Sequence, residues 1–383
     1  MRIDTAEHVD RFRAEVRAFI AEHNPGPKQH TGVRAPEPER VGAIREFTRR
    51  LFDAGYLGAD WPVEYGGRAD HDPAEAFVVA EEIVRAGTWG PIGAGPVLVA
   101  PALIAFGTPE QRAEYLPKIR SAEHIWCQLF SEPGAGSDLA GLSTRAVLDG
   151  DHWVVNGQKV WTTNGHHADM GYLLARTDPA APKHAGISAF ILDMSTPGVD
   201  VRPLREITGT SDFNEVFLDN VRIPAGNVIG RVNDGWRVAN SSLAHERSGV
   251  AAGSVELVRH LDDLLDLGLT DPEKIGRIAT RVLVSDAMSK AVQSHMLAGT
   301  EDAADAAAVK IFFSETNLAL AETALELQGA DGIIAEGDPG ATAGGWWQDA
   351  FLYARAYTIA GGATEVLKNV IAERALRLPR EPR

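Results

Sequence analysis

Residues 153–165 read WVVNGQKVWTTNG, and this run sets the fold class of the middle of the chain. Asn156-Gly157 is a two-residue hairpin signal, since both central positions of a type I′ turn need positive φ. Pairing outward sets Val155 opposite Gln158, Val154 opposite Lys159, Trp153 opposite Val160 and His152 opposite Trp161. Side chains alternate faces along a strand. Trp153, Val155, Val160 and Thr162 then share a core-directed face. His152, Lys159, Trp161 and Thr163 share the other, a flat aromatic beside a hydroxyl with cationic or titratable neighbours. From spacing alone that face reads first as a solvated sheet face and second as a surface for a flat ligand.

Short β-branched and aromatic runs surround it, among them HIWCQLF, STRAVLD, MGYLLART, GISAFILD, VDVRPL and NEVFLDNVRI. Gly, Pro, Asn and Asp punctuate them at short intervals, which predicts a β-barrel or sandwich over 123–233, not a βαβ sheet. Residues 1–122 carry helical spacing instead. Val9, Phe12, Val16 and Phe19 recur every three or four residues, ERVGAIREFTRRLFDAG is a second amphipathic segment, and the Pro-rich NPGPKQHTGVRAPEPE between them is a loop. From 234 to 383 the pattern is helical again. Segments at roughly 235–268, 272–299, 302–328 and 345–359, joined by short turns, predict a four-helix bundle followed by a shorter helix after Gly362. The predicted class is α+β: an all-α N-terminal domain, a β middle domain and a C-terminal helical bundle.

Composition narrows the function. Among 383 residues the net charge of −16 argues against nucleic acid as a partner, because phosphate backbones need a basic footprint. One cysteine, Cys127, excludes an internal disulfide framework. The N-terminus is charged without an apolar signal segment, and no stretch has the apolar length of a membrane span, so a cytoplasmic protein is expected. P-loop, GxGxxG, GxSxG and HExxH motifs are missing, and so is any Cys/His set with metal-ligand spacing. His166 and His167, adjacent on a strand, would point to opposite faces.

Two further stretches carry chemistry. In FSEPGAGSD (130–138), Gly134 and Gly136 allow unusual torsions that aim N–H groups at an anion, with Ser131 and Ser137 adding hydroxyls. Around SSLAHERSGV (241–250), Ala239, Leu243, Glu246, Val250, Gly253 and Leu257 form one stripe of a helix. An acid in that apolar stripe is desolvated, which raises a carboxyl pKa toward general-base use. Neutralisation by Arg247 or another helix is the competing reading.

Together these stretches resemble the acyl-CoA dehydrogenase family. CQLFSEPGAGSD resembles its first signature, WVVNGQKVWTTNG its flavin-side hairpin, and NEVFLDNVRIPAGNVIGRVNDGW its exit from the β domain. LELQGADG and TIAGGATEVLKNVIAERALRLPR resemble its C-terminal signatures. The resemblance implies non-covalently bound FAD, a dimer of dimers, an acyl-CoA substrate oxidised to trans-2-enoyl-CoA, and an electron-transfer flavoprotein as acceptor. It places Trp161 beside the isoalloxazine, Thr163 near flavin N5, and Phe130 and Ser131 at the pyrimidine end. Ser137 would serve the flavin phosphate or the pantetheine arm, and Gln328 the adenosine across a subunit interface. Gly332, Gly362, Thr364 and Glu365 complete the implied FAD contacts.

The base departs from the commonest family pattern. Gly361 stands where many relatives carry the catalytic Glu, and Ala363 where they carry Thr. Other branches place the base on the first bundle helix, where Glu246 matches and Arg247 borders the acyl pocket. Gly361 then supplies an N–H to the thioester carbonyl, before a helix that Thr364 would cap. Two alternatives follow: a catalytically impaired partner subunit in a heterotetramer with a related chain, or an acyl-CoA oxidase on the same fold.

Overall fold

The computed structural model describes residues 7–246, 250–300 and 302–380. Its N-terminal region is helical, as the spacing predicts. Helices α1 (Glu7–His23), α2 (Pro38–Asp53) and α3 (Ala74–Arg85) close around Val16, Ile20, Phe47, Leu51, Val79 and Ile83. Helix α4 (Ala100–Phe106) leads to α5 (Pro109–Arg120), which opens on a capping box: Gln111 N–H donates to Thr108 Oγ1 at 3.2 Å, and Thr108 N–H to Gln111 Oε1 at 3.1 Å.

Eight strands follow in one connected sheet: β1 (Trp126–Leu129), β2 (Arg145–Asp149), β3 (His152–Thr163), β4 (Met170–Arg176), β5 (Ile187–Asp193), β6 (Val199–Leu204), β7 (Phe213–Pro224) and β8 (Val228–Ile229). The order is β6-β7-β3-β2-β4-β5-β8, with β1 parallel to β4. Leu129, Trp153, Val155, Phe190, Leu192, Val216 and Ile223 share one core. The β3/β7 layer therefore packs over the β4/β5 layer, with Trp153 edge-on to Phe190 at 5.6 Å between ring centres.

The hairpin turn lies elsewhere than the sequence suggests. β3 runs unbroken through Asn156-Gly157, and β2 turns into β3 at Gly150-Asp151, with Asp149 paired to His152. Gly150 takes the positive φ, +64°. Gly157 serves close approach: a Cβ there would stand 2.3 Å from Thr144 Oγ1, and the register against β7 shifts between Val155 and Gly157. A strand paired on both edges overrides a local turn signal.

The C-terminal helices are α6 (Gly235–Glu246), α7 (Val250–Asp266), α8 (Pro272–Ala298), α9 (Ala303–Gln328), α10 (Trp346–Tyr357) and α11 (Thr364–Val370). Leu257, Leu261, Ile278, Val282, Phe313, Leu320 and Trp347 make the bundle core from α7 to α10. Helix α6 packs elsewhere. Its Val238 and Ala239 join Leu103, Leu116, Trp126, Tyr172 and Ile191, tying the start of the C-terminal region to both preceding ones. Among the described residues no helix is long and apolar enough to cross a membrane.

Candidate active site

Trp161 is the most conspicuous residue of the β region. Its side chain is 60% exposed and its φ is +59°. A bulky non-Gly residue in the left-handed region costs about 1–3 kcal/mol and persists only where neighbours impose it. Here the register against β7 shifts between Lys159 and Thr162, and Val160 N–H leaves the ladder to donate to Ser131 O at 2.9 Å. The bulge re-aims the indole outward. Phe213 meets it edge-on at 6.0 Å and is also the backbone partner of Thr163, so both residues flank one ring.

Lys159 does not share the open face. It is fully buried, and its Nζ donates to Glu132 Oε1 at 2.8 Å and to Phe130 O at 3.1 Å. Because β3 runs straight through Asn156-Gly157, alternation sets Lys159 on the buried face with Trp153 and Val155, and the bulge that re-aims Trp161 begins only after it. Glu132 also accepts from Ser143 N, Ser143 Oγ and Thr144 N, at 2.6, 2.8 and 2.9 Å. Burial pushes the Glu132 carboxyl up, but Lys159 and these donors overcome it and hold it at about 2. Burial draws Lys159 down to about 8, against the pull of Glu132. With four donor groups on one carboxylate, the pair is ionised. It fastens the loop beginning at Phe130 to the strand that carries Trp161.

Sequence reasoning puts Lys159 on the open face and passes over Glu132, which sits inside a loop noted for its glycines and serines. Those glycines act differently from expectation. Gly134 and Gly136 are not among the positive-φ glycines, and open space surrounds both. The loop is closed instead by reciprocal bonds between Glu132 and Ala135, at 3.1 and 3.0 Å. Phe130 is buried edge-on to Tyr172, Ser131 is half-buried and Ser137 exposed.

At the far end of the chain, Gly361 and Gly362 take φ of +66° and +103°. Among the described residues neither N–H has an acceptor. Ala363, not Thr364, is the N-cap of α11, and no side-chain cap is made. Thr364 falls one position inside the helix, and its Oγ1 is buried without a protein partner. Glu365 is exposed. Gln328 Nε2 donates to Ala324 O at 3.0 Å, and Gly332 packs against Leu325 and the Gln328 stem.

Glu246 closes α6; its side chain, and Arg247 entirely, lie outside the described residues. One turn earlier Ser242 is buried and hydrogen-bonded to Tyr172 Oη at 3.1 Å. His166 and His167 sit in a 3-10 turn with rings 4.1 Å apart, not on opposite strand faces. They bind Asn214 Oδ1 and Pro36 O, each at 3.0 Å. Among the described residues no group of three or more His, Cys, Asp or Glu could hold a metal.

Residues 6–123, 127–221 and 272–376 match the N-terminal, middle and C-terminal domains of acyl-CoA dehydrogenase. The chain belongs to the acyl-CoA dehydrogenase family. It is thereby an oxidoreductase. Acyl-CoA dehydrogenase IpdE1 of Mycobacterium tuberculosis is 39% identical, over 98% of this chain and 99% of that one. Acyl-CoA dehydrogenase FadE34 of the same organism is 40% identical over 99% of this chain, which spans 50% of FadE34's length. The Tcur3481-Tcur3483 steroid ACAD matches with a TM-score of 0.88 and 32% identity, covering 100% of both chains. The ChsE4-ChsE5 complex from Mycobacterium tuberculosis matches with a TM-score of 0.83 and 29% identity, over 99% of this chain and 100% of that one.

The acyl-CoA dehydrogenase family is one of flavoproteins, and the residues present fit FAD. An exposed indole held in a strained conformation, an unpartnered buried hydroxyl at Thr364 and free N–H groups at Gly361 and Gly362 each lack a partner that a flavin and its substrate would supply.

Proposed function

We propose that this acyl-CoA dehydrogenase homologue carries out FAD-dependent α,β-desaturation of an acyl-CoA thioester, with Glu246 as the base. The outward-turned Trp161, kept at positive φ beside Thr163 and Phe213, carries the reading: its indole is left mostly open, and a stacked ring would cover it. Trp161, Thr163, Phe130 and Ser131 would hold the flavin ring. Thr364, Glu365, Gly362 and, from a neighbouring subunit, Gln328 and Gly332 would hold the rest of FAD. Bound there, FAD would supply the acceptor for a hydride from the substrate β-carbon. Glu246 takes the α-proton, and the Gly361 N–H stabilises the charge that develops on the thioester oxygen. Ser137 and Arg247 border the substrate. An electron-transfer flavoprotein then collects the electrons, and the assembly is a tetramer of two dimers.

Glu246→Gln should keep FAD bound and lose bleaching of the flavin by acyl-CoA; unchanged bleaching would reject Glu246 as the base. A second reading is favoured by Gly361 and Ala363, which replace the acid and hydroxyl of many relatives. In it the chain is one member of a heteromer with a related subunit, an arrangement in keeping with the paired names of Tcur3481-Tcur3483 and ChsE4-ChsE5. Purifying the chain alone separates the two: yellow colour and tetramer size support the first, a colourless species that gains FAD only with a partner supports the second.

A further inference from the structure

Lys310, on α9, is a buried cation that the site described above does not use. Its side chain is only 8% exposed, and its Nζ donates to Gly362 O at 2.6 Å. Among the described residues no carboxylate stands within ion-pair range. Glu365 acts on Lys310 only at longer reach. Burial draws the ammonium down to about 8, with Glu365 pulling the other way. Burying a charge to serve a single backbone carbonyl is costly, and such a group is worth keeping where it fixes a geometry.

The geometry here needs fixing. Two successive glycines at positive φ have more conformational freedom than any other residue pair, and ordering them costs correspondingly more. On the α10 side the turn is held by the bond from Ala360 N to Ala356 O at 2.8 Å, and on the α11 side by the bond from Thr364 N to Thr358 O at 3.1 Å. Between them, the Gly362 carbonyl is tied, among the described residues, only to Lys310. The Lys310 stem also lies along the turn, with Cε 3.9 Å from where a Gly361 Cβ would stand. A charge-assisted bond from a long helix suits this task.

We propose that Lys310 is a positioning residue that holds the Gly361–Gly362 turn so that the Gly361 N–H stays aimed at a substrate oxygen. This rests on the acyl-CoA reading given above. The test compares binding of octanoyl-CoA with that of its thioether analogue S-octyl-CoA, which lacks the carbonyl, to FAD-loaded protein. Wild type should prefer the thioester. Lys310→Met should cut that preference by about tenfold, the value of one lost hydrogen bond, with FAD content unchanged. Lys310→Arg should restore part of it. A wild-type preference in Lys310→Met, or an equal loss for both ligands, would overturn the proposal. If the Met variant does not fold, Lys310→Gln is read by the same ratio. If wild type binds neither compound, or both alike, the acyl-CoA reading fails, and amide exchange of residues 358–364 decides for Lys310 alone. Faster exchange confined to that segment in the variant supports the anchor, and unchanged exchange rejects it.

Discussion

The hydroxyls of Tyr172 and Ser242 are hydrogen-bonded at 3.1 Å inside the core, joining β4 to α6 one turn ahead of Glu246. Tyr172 also packs edge-on against Phe130 at 5.0 Å, so one phenol touches both the loop that begins at Phe130 and the helix of the proposed base. Tyr172→Phe removes the bond while keeping the ring. The expected loss is about 1 kcal/mol of stability, the net worth of one hydrogen bond, because Ser242 Oγ still donates to Val238 O at 3.2 Å; denaturant unfolding measures it. A loss below a few tenths would show that the bond contributes nothing.

Breaking the Glu132–Lys159 pair has a larger effect. Lys159→Met leaves a buried carboxylate without its cation, and such changes cost about 3–5 kcal/mol. Removing both charges with Glu132→Leu on top of Lys159→Met should return part of that loss. A double variant worse than Lys159→Met alone would show that the Ser143 and Thr144 donors, not the charge pair, dominate.

The same carboxylate sets an acid limit. Its folded pKa of about 2 lies below its ordinary value, so between roughly pH 4.5 and 2 the unfolded chain binds the extra proton. Stability is then present above pH 4.5 and falls as pH drops through that window, by roughly 3 kcal/mol from this group. Glu132→Gln should flatten this part of the pH–stability curve; an unchanged slope would refute the assignment.

Trp161→Gly should separate stability from function. Glycine at φ near +59° is unstrained, and the lost side chain is mostly exposed, so folding stability should hold or rise by about 1 kcal/mol. Flavin content or flavin absorbance should change at the same time. A fall in stability with unaltered flavin binding would assign the indole a packing role instead.

Much of this was legible beforehand. Val16, Phe47, Leu51, Leu257 and Ile278 lie where helical spacing puts them. The order of helices, strands and helices follows from period alone. Other features depend on partners far along the chain. Asp149-Gly150 and Asn156-Gly157 are both turn signals, and only pairing of β3 with β7 decides between them. Lys159 looks solvated only if the chain turns at Asn156-Gly157; along the continuous β3 it falls on the buried face, and its partner Glu132 lies 27 residues away in a loop. The period of SSLAHERSGV points to an acid stripe through Glu246, whose side chain lies outside the described residues, so the base remains a proposal resting on that resemblance.

Arg34 has a consequence for how the protein comes apart. This buried guanidinium, on the loop after α1, donates to Asp212 Oδ2 at 3.0 Å and to Asp349 Oδ2 at 2.5 Å, and it lies over the Tyr353 ring at 4.2 Å. One side chain from the first region is thus riveted to a carboxylate before β7 and to another in α10. No region can melt while that clasp holds without stranding charge in a dry interior. Calorimetry should accordingly record a single heat-absorption peak, and loosening the clasp by Arg34→Met should split it.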